Sequence, residues 1–494
     1  MNTLSTYLQE LIDNSQWLSA EVYLTGVIVF WALITPFLKS FIKNNGGLLS
    51  LVLLLPPVLI YANQFDAISI DLPLFDETLK FTRLSLFFKI TSLVGATLFY
   101  IYYLTLPSDN SDEKKGEYHF LIFSTLLGIN VVVMANNLLG AFLGLETISL
   151  ASYALVLFGK DQRRPEAGLK YIILGAVSTA IMLFGVALLF ALHGSLGFST
   201  LFNAESFTDE GSKMITFLAS IIFLIGVFFK LSSFPLHVWV PDVYQSVPLK
   251  LASFFSFGPK IAGLALLMNI ISTVPDSFQR DLLIIVLGIV IVLTMLVGNL
   301  SALSQSNSKR LLAYSSIAHS GFLLVGLLSF SEFGIEATLF YTLVYLILNF
   351  SSFYLIDLLI EVTENEQIKY FSGLGTNQPL IGVLVVITMI GLTGLPPTIG
   401  FSGKVMVFYS LLESSAFAVD NILFWVLVIG LLNVAIALFF YLKIPYYLYF
   451  KESTITNSLT ISSIKKVVAV FLVSPIILLF LFNDYILSFI HLFN

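Results

Sequence analysis

The sequence contains no cysteine, which excludes thiolate-bound iron–sulfur clusters, cysteine zinc sites and disulfides. Neither a glycine-rich dinucleotide fingerprint nor a Walker motif occurs, so nucleotide binding has no support. Charge is scarce too: Asp, Glu, Lys and Arg make up only 11% of the 494 residues, far below the level of soluble domains. No basic stretch or small-residue cleavage site precedes the first apolar run near Trp17, so that run is expected to be retained as a helix.

What the chain has instead is apolar residues, 57% of the total, with a mean hydropathy of +0.94. Crossing a hydrocarbon layer of about 30 Å takes roughly 20 such residues. Runs of that kind place fourteen spans at about 18–38, 46–63, 82–105, 118–135, 137–158, 167–192, 215–240, 249–272, 280–303, 310–329, 334–360, 379–409, 421–445 and 465–490. The expected fold is an all-α polytopic membrane protein filling residues 1–494 as one transmembrane domain.

Basic residues assign the sides. Loops after odd-numbered spans hold Lys39, Lys43, Lys114, Lys115, Lys160, Arg163, Arg164, Lys309, Arg310, Lys369, Lys443, Lys451, Lys465 and Lys466. Loops after even-numbered spans hold only Lys80, Arg83, Lys213 and Arg280, among acids that include Asp66, Asp71, Glu77, Glu205 and Asp209. The positive-inside rule then makes the odd loops cytoplasmic and puts both termini outside.

Six lysines remain in or near the spans: Lys89, Lys170, Lys230, Lys250, Lys260 and Lys404. An ammonium at the bilayer centre costs at least a few kcal/mol, so it needs a partner, a wet cavity or a displaced proton equilibrium. Lys89, Lys170 and Lys250 start close enough to helix ends to snorkel to the interface. Lys230 begins roughly 22 Å and Lys260 roughly 16 Å from their helix starts, too deep for that. Glu146, nine residues into its span, is the natural counter-charge, and an ion pair between Glu146 and Lys230 is expected. His237 follows Lys230 by seven residues, two turns of a continuous helix, where an imidazole can pass protons toward Lys260. His319, in the middle of its span, supports a weaker form of the same argument.

Two spans contain helix breakers. Span 7 carries Pro235, and span 12 carries Gly394, Pro396, Pro397, Gly400 and Gly403 within GLTGLPPTIGFSGK. Both should be discontinuous, and each break adjoins a lysine, Lys230 or Lys404. Interrupted helices are tolerated at membrane depth where they are buried or line a cavity, and their free ends favour ions. Spans 7 and 12 run in opposite directions, which points to two inverted five-helix units, 118–272 and 280–445, after helices 1–3 in 1–117 and before a last helix at 465–490.

The segments LGLETISLASYALV, AGLKYIILGAVSTA, FKLSSFPLHVWVPDVYQSVP, KRLLAYSSIAHSGFLLVG and GLPPTIGFSGK closely resemble the N-type, antiporter-like subunit of bacterial NADH:quinone oxidoreductase (complex I), in order from about 118 to 445. The resemblance implies a proton-translocating membrane subunit of a respiratory complex in the bacterial inner membrane. Its partners would be the adjacent antiporter-like subunit and small membrane subunits. No cofactor is implied in this chain; NADH, FMN, Fe-S clusters and quinone belong to the rest of the complex. It also implies that Glu146 pairs with Lys230, that Lys170 modulates the pair, that His237 and Lys260 continue a hydrated axis, and that Lys404 ends it. One departure is SVPLKL, where relatives favour a proline-rich run; it introduces Lys250, which has no inherited role. An Mrp-type cation/proton antiporter subunit is the alternative, disfavoured by the GLE setting of Glu146 and by lysine rather than an acid at 404. A carrier of organic solutes would show more polar or aromatic ligands at the breaks.

Overall fold

The computed structural model describes residues 14–67, 71–106, 115–159, 161–203, 207–275, 278–414, 421–452 and 461–493. Of the loop charges used above, Lys114, Lys160 and Glu205 lie outside them. Helix follows helix: α1 Ser19–Ile34, α2 Lys39–Ala67, α3 Arg83–Thr105, α4 Gly116–Met134, α5 Leu138–Leu157, α6 Arg164–His193, α7a Glu210–Lys230, α7b Val240–Ser246 and α8 Leu249–Ile271. After these come α9 Phe278–Leu303, α10 Ser308–Val325, α11 Glu332–Thr363, α12a Pro379–Thr393, α12b Ile399–Glu413, α13 Ile422–Phe450 and α14 Ser463–Leu481. Every expected span has its helix. Among the described residues twelve are each long and apolar enough to cross a membrane alone. The others are α1, with 16 residues, and α12, split into halves of 15 residues.

Polar side chains set the helix starts where the apolar pattern alone is blurred. Thr82 and Ser85 form a reciprocal capping box at α3, and Asn137, Asp209, Asn307 and Ser331 accept from first-turn amides of α5, α7a, α10 and α11. Each satisfies an amide that no intrahelical carbonyl can reach. An antiparallel hairpin, β1 Leu72–Leu74 with β2 Leu79–Phe81, joins α2 to α3.

Burial is unequal. In α8 and α10 nearly all residues of the apolar stretch are buried inside the bundle, whereas in α6, α13 and α14 fewer than a third are. The polar and charged residues of α8, α10 and α11 therefore lie at the centre of the bundle, and the outer helices present apolar side chains outward.

Lys89 does not snorkel. Its Nζ lies 2.9 Å from Glu21 Oε1 of α1, with both side chains almost fully buried, and 4.6 Å from the centre of the Phe81 ring. Asn130 of α4 donates to Glu21 Oε1 at 3.1 Å and to the Tyr61 hydroxyl at 2.7 Å, so four helices meet at one ion pair. Glu21 is thus a second deeply placed acid beside Glu146: it stands at a helix start in sequence, but α2, α3 and α4 cover it.

A second set of charges joins the odd-numbered loops. Glu366, beyond α11, takes hydrogen bonds from Arg163 at 3.1 Å and Asn307 at 3.0 Å and pairs with Lys309 at 3.0 Å. Burial alone would raise the Glu366 carboxyl, but the Arg163 hydrogen bond, the Lys309 charge and Asn307 together hold it down at about 2.

Removing one partner of a buried ion pair costs roughly 3–5 kcal/mol because the other charge stays buried. Glu21→Gln should therefore lower the thermal unfolding midpoint of the detergent-solubilised protein, and Glu21→Leu with Lys89→Met should restore most of it. For Glu366, whose pKa is depressed when folded, the stabilisation is complete above its ordinary value of 4.5 and lost as pH falls toward about 2. The midpoint difference between wild type and Glu366→Gln should stay constant at higher pH and shrink across that window.

Candidate functional site

The first polar cluster forms where α5, α6 and α7a converge. Glu146 and Ser149 lie one turn apart on α5, and Ser149 Oγ is 3.3 Å from Glu146 Oε1. Thr179 of α6 donates to the same carboxylate oxygen at 2.7 Å. Lys230 is the last residue of α7a and donates to Ser149 Oγ at 2.7 Å. The expected contact between Glu146 and Lys230 is thus bridged by a hydroxyl rather than direct. Lys230 also stands where the unpaired carbonyls of a helix C-terminus concentrate negative charge, a favourable place for a cation.

α8 runs past the end of α7a: a Cβ added at Gly263 would meet Lys230 Cβ at 3.5 Å. One turn away on α8, Lys260 is fully buried and donates to the Ser316 carbonyl and hydroxyl, each at 2.5 Å. Ser316 Oγ is 2.8 Å from Ser256 Oγ, and the Tyr345 hydroxyl is 2.6 Å from the latter. Along α10, His319 follows Ser316 by three residues, on the same face. Its Nδ1 is 2.8 Å from the Tyr341 hydroxyl and its Nε2 3.1 Å from that of Tyr441, which also bonds Ser315.

Three residues further along this face is Phe322, with Lys404 Nζ 4.5 Å from its ring centre. Lys404 belongs to α12b but serves the end of α12a, donating to the carbonyls of Leu392 at 3.0 Å and Thr393 at 2.7 Å. Two glycines permit this reversal. Gly394 turns the chain at φ 85°, and a Cβ on Gly400 would lie 1.9 Å from the Gly391 carbonyl, so α12b packs directly against the end of α12a. Both broken helices thus place a lysine at the C-terminal end of a half-helix.

The structure brings together Glu146, Lys230, Lys260, His319 and Lys404 along a line through the bundle. Three other residues lie elsewhere. Lys170 is half-exposed, paired with Asp242 and Glu166 at 2.8 Å each, and Asp242 also binds Arg310 at 3.0 Å. His237 is not two helical turns beyond Lys230, because the helix ends at Lys230 and 231–239 form turns; its ring stacks on Phe234 with centroids 5.9 Å apart. Its Nδ1 has no hydrogen-bond partner among the described residues. Lys250 does not reach an interface: it is 1% exposed, 3.5 Å from the Leu106 carbonyl and 4.7 Å from the centre of the Tyr103 ring. Ser149, Thr179, Ser256, Ser316, Tyr341, Tyr345 and Tyr441 were not foreseen. Their signal is spacing: hydroxyls recur at three- or four-residue steps beside the ionisable residues.

The donor set is lysine, hydroxyl and carbonyl. Among the described residues no group of three or more His, Asp or Glu is arranged to hold a metal. Serine and tyrosine hydroxyls both donate and accept, so the line is suited to moving protons.

Residues 135–436 match the family described as NADH:quinone oxidoreductase/Mrp antiporter, TM. NADH-quinone oxidoreductase subunit N 2 of Chloroherpeton thalassium is 37% identical over 380 residues, covering 75% of this chain and 73% of its own. Subunit N of an Anaeromyxobacter species is 34% identical over 467 residues, covering 90% and 89%. A chain of respiratory complex I from Thermus thermophilus superposes with a TM-score of 0.77 at 26% identity, over 95% of this chain and 98% of that one. The chain belongs to the subunit N family of NADH-quinone oxidoreductases, within the NADH:quinone oxidoreductase/Mrp antiporter superfamily.

Proposed function

We propose that the chain carries protons across the membrane as part of NADH:quinone oxidoreductase, along a row running from Glu146 and Lys230 through Lys260 and His319 to Lys404. The observation behind this reading is that Lys230, Lys260 and Lys404 are each 4% exposed or less and each rest on neutral oxygens, from Ser149, from Ser316 and from the end of α12a. Dipoles of this kind hold an ammonium without the full countercharge that would fix the proton in place.

Among the described residues Glu146 is the acid near the row's first lysine, and Ser149 transmits its charge. A shift of that carboxylate or its hydroxyl changes how firmly Lys230 keeps its proton, and a proton given up there is taken by the Lys260 amine. His319, between two tyrosine hydroxyls, then links Lys260 to Lys404. His237 and Lys170 remain candidates for modulation. Oxidation of NADH through FMN and Fe-S clusters and reduction of quinone belong to other subunits, which supply the driving energy through the neighbouring antiporter-like and small membrane subunits. The protein resides in the bacterial inner membrane with both termini outside, and 118–272 and 280–445 act as two inverted units. The Mrp-type reading shares the family, but lysine at 404 and the relatives named above favour the respiratory complex.

In membrane vesicles with the complex assembled, Lys230→Ala should reduce NADH-driven proton pumping and NADH oxidation together, by about a hundredfold if proton transfer at this lysine limits turnover. Full pumping would make Lys230 structural. Ser149→Ala removes one hydrogen bond to a charged group, worth roughly 1.5–3 kcal/mol, and should reduce pumping less than Lys230→Ala does. Glu146→Gln should also slow pumping, and an unchanged rate would separate that acid from the row.

A further inference from the structure

The proposed row begins and ends inside the bundle, so protons must reach it from water. The inner helix α11 carries four acids that the row does not use, Glu332, Glu336, Asp357 and Glu361, and of these Asp357 is bonded from α3. It is half-buried in the last two turns of α11, at the end of the bundle where Glu366, Lys309 and Glu361 also lie. The Tyr102 hydroxyl of α3 donates to Asp357 Oδ2 at 2.8 Å.

From Asp357, four-residue steps back along α11 give Phe353, Asn349, Tyr345 and Tyr341. Such a ridge winds around its helix, so its members face different neighbours in turn. Asp357 faces α3 through Tyr102. Asn349 faces α8, donating to the Ser253 carbonyl at 2.8 Å. Tyr345 meets Ser256 of α8 at 2.6 Å and Ser316 of α10 at 3.2 Å, and Tyr341 reaches His319 at 2.8 Å. On α8 the facing residues are Lys250, Ser253, Ser256 and Lys260, also at three- and four-residue steps. Two of the most enclosed helices therefore share a polar seam from Asp357 to Lys260, interrupted by one apolar side chain, Phe353. Hydrophobic helices have no packing reason to spend polar residues there, because a buried polar group costs free energy unless it is bonded.

We infer that Asp357 is the proton-uptake residue of this subunit, and that the α8–α11 seam through Asn349, Tyr345, Ser256 and Ser316 delivers the proton to Lys260. The inference rests on the proton-carrying role proposed above. Asp357 Oδ1 or Oδ2 takes a proton from the aqueous phase. The O–H bond breaks as the proton enters the seam, the carboxylate is restored, and the Lys260 amine becomes an ammonium. In the proposed orientation this end is cytoplasmic, the side from which protons are drawn. Phe353, whose ring centre lies 6.2 Å from that of Tyr244, is the one step of the ridge between Asp357 and Asn349 that carries no polar side chain. Lys250 rests against Leu106 and Tyr103, next to the Tyr102 that bonds Asp357, which gives that lysine a place in the mechanism.

The test is NADH-driven proton pumping by the assembled complex in inverted membrane vesicles carrying Asp357→Asn, with Lys230→Ala vesicles in parallel. Pumping by Asp357→Asn should fall about tenfold or more, recover when a small permeant weak acid such as formic acid is added, and persist in Asp357→Glu. Asn349→Leu, which blocks the seam without touching the acid, should fall similarly and stay unresponsive to formic acid. Full pumping in Asp357→Asn, or a loss that neither formic acid nor Asp357→Glu restores, overturns the inference. So does full pumping in Asn349→Leu, which keeps the question answerable if Asp357→Asn does not assemble. Loss in Lys230→Ala beside full pumping in Asp357→Asn rejects the uptake residue alone, whereas full pumping in Lys230→Ala rejects the row on which it depends.

Discussion

Holding an ammonium inside an apolar bundle is the constraint around which this structure is arranged. Desolvation of a lysine costs at least a few kcal/mol and must be met by oxygens brought to it from other helices. Two solutions are present. Lys89 has a carboxylate, Glu21, at 2.9 Å, and the pair fastens helices α1–α4 to one another. Lys230, Lys260 and Lys404 instead rest on hydroxyls and carbonyls. A direct ion pair holds its proton with the attraction of a full opposite charge in a medium of low dielectric constant. Neutral dipoles hold it less firmly, which suits the proton-carrying role proposed for these lysines.

The broken helices follow from the same need. An unbroken span uses its backbone carbonyls internally and has none to spare at membrane depth. Ending α7a at Lys230 and α12a at Thr393 frees carbonyls where a cation can use them, and the glycines at 394 and 400 allow α12b to return close enough for Lys404 to reach them. Near the helix ends, Glu366 joins Arg163 and Lys309, and Asp242 of α7b joins Lys170 of α6 and Arg310 of α10, linking the two halves of the chain. These exposed and half-exposed pairs are individually weak, but they tie the ends of the helices that carry the row.

Much of this was readable from residue order. Hydropathy located every helix because span length is dictated by the bilayer, and proline and glycine located both breaks because each removes a backbone option. The deep placement of Lys230 and Lys260 followed from counting residues along a helix, and Lys404 was marked by the helix break beside it. What sequence did not reveal depends on neighbours distant in the chain. Lys89 begins near a helix end and read as peripheral, and Glu21 near another gave no signal, yet the folded α2 and α4 cover them. Ser149 could not be distinguished from other helix serines until Lys230, 81 residues later, was seen to donate to it. For His237 the helical count failed because the chain leaves the helix at Lys230, ahead of the proline taken to mark the break. Lys250 looked able to snorkel from the first turn of α8, but that turn is enclosed by α3 and α11.

Lys260 lies midway along the row, and on this account every proton passing between the two broken helices uses its amine. Replacing it with methionine keeps the length of the side chain and removes the proton-binding nitrogen. The most direct measurement is the number of protons pumped per electron by the assembled Lys260→Met complex in sealed vesicles, together with its rate of NADH oxidation. A chain that carries protons through this row predicts that pumping through this subunit stops, so the ratio falls or turnover collapses. An unchanged ratio at an unchanged rate would show that protons cross without Lys260, and would contradict the account.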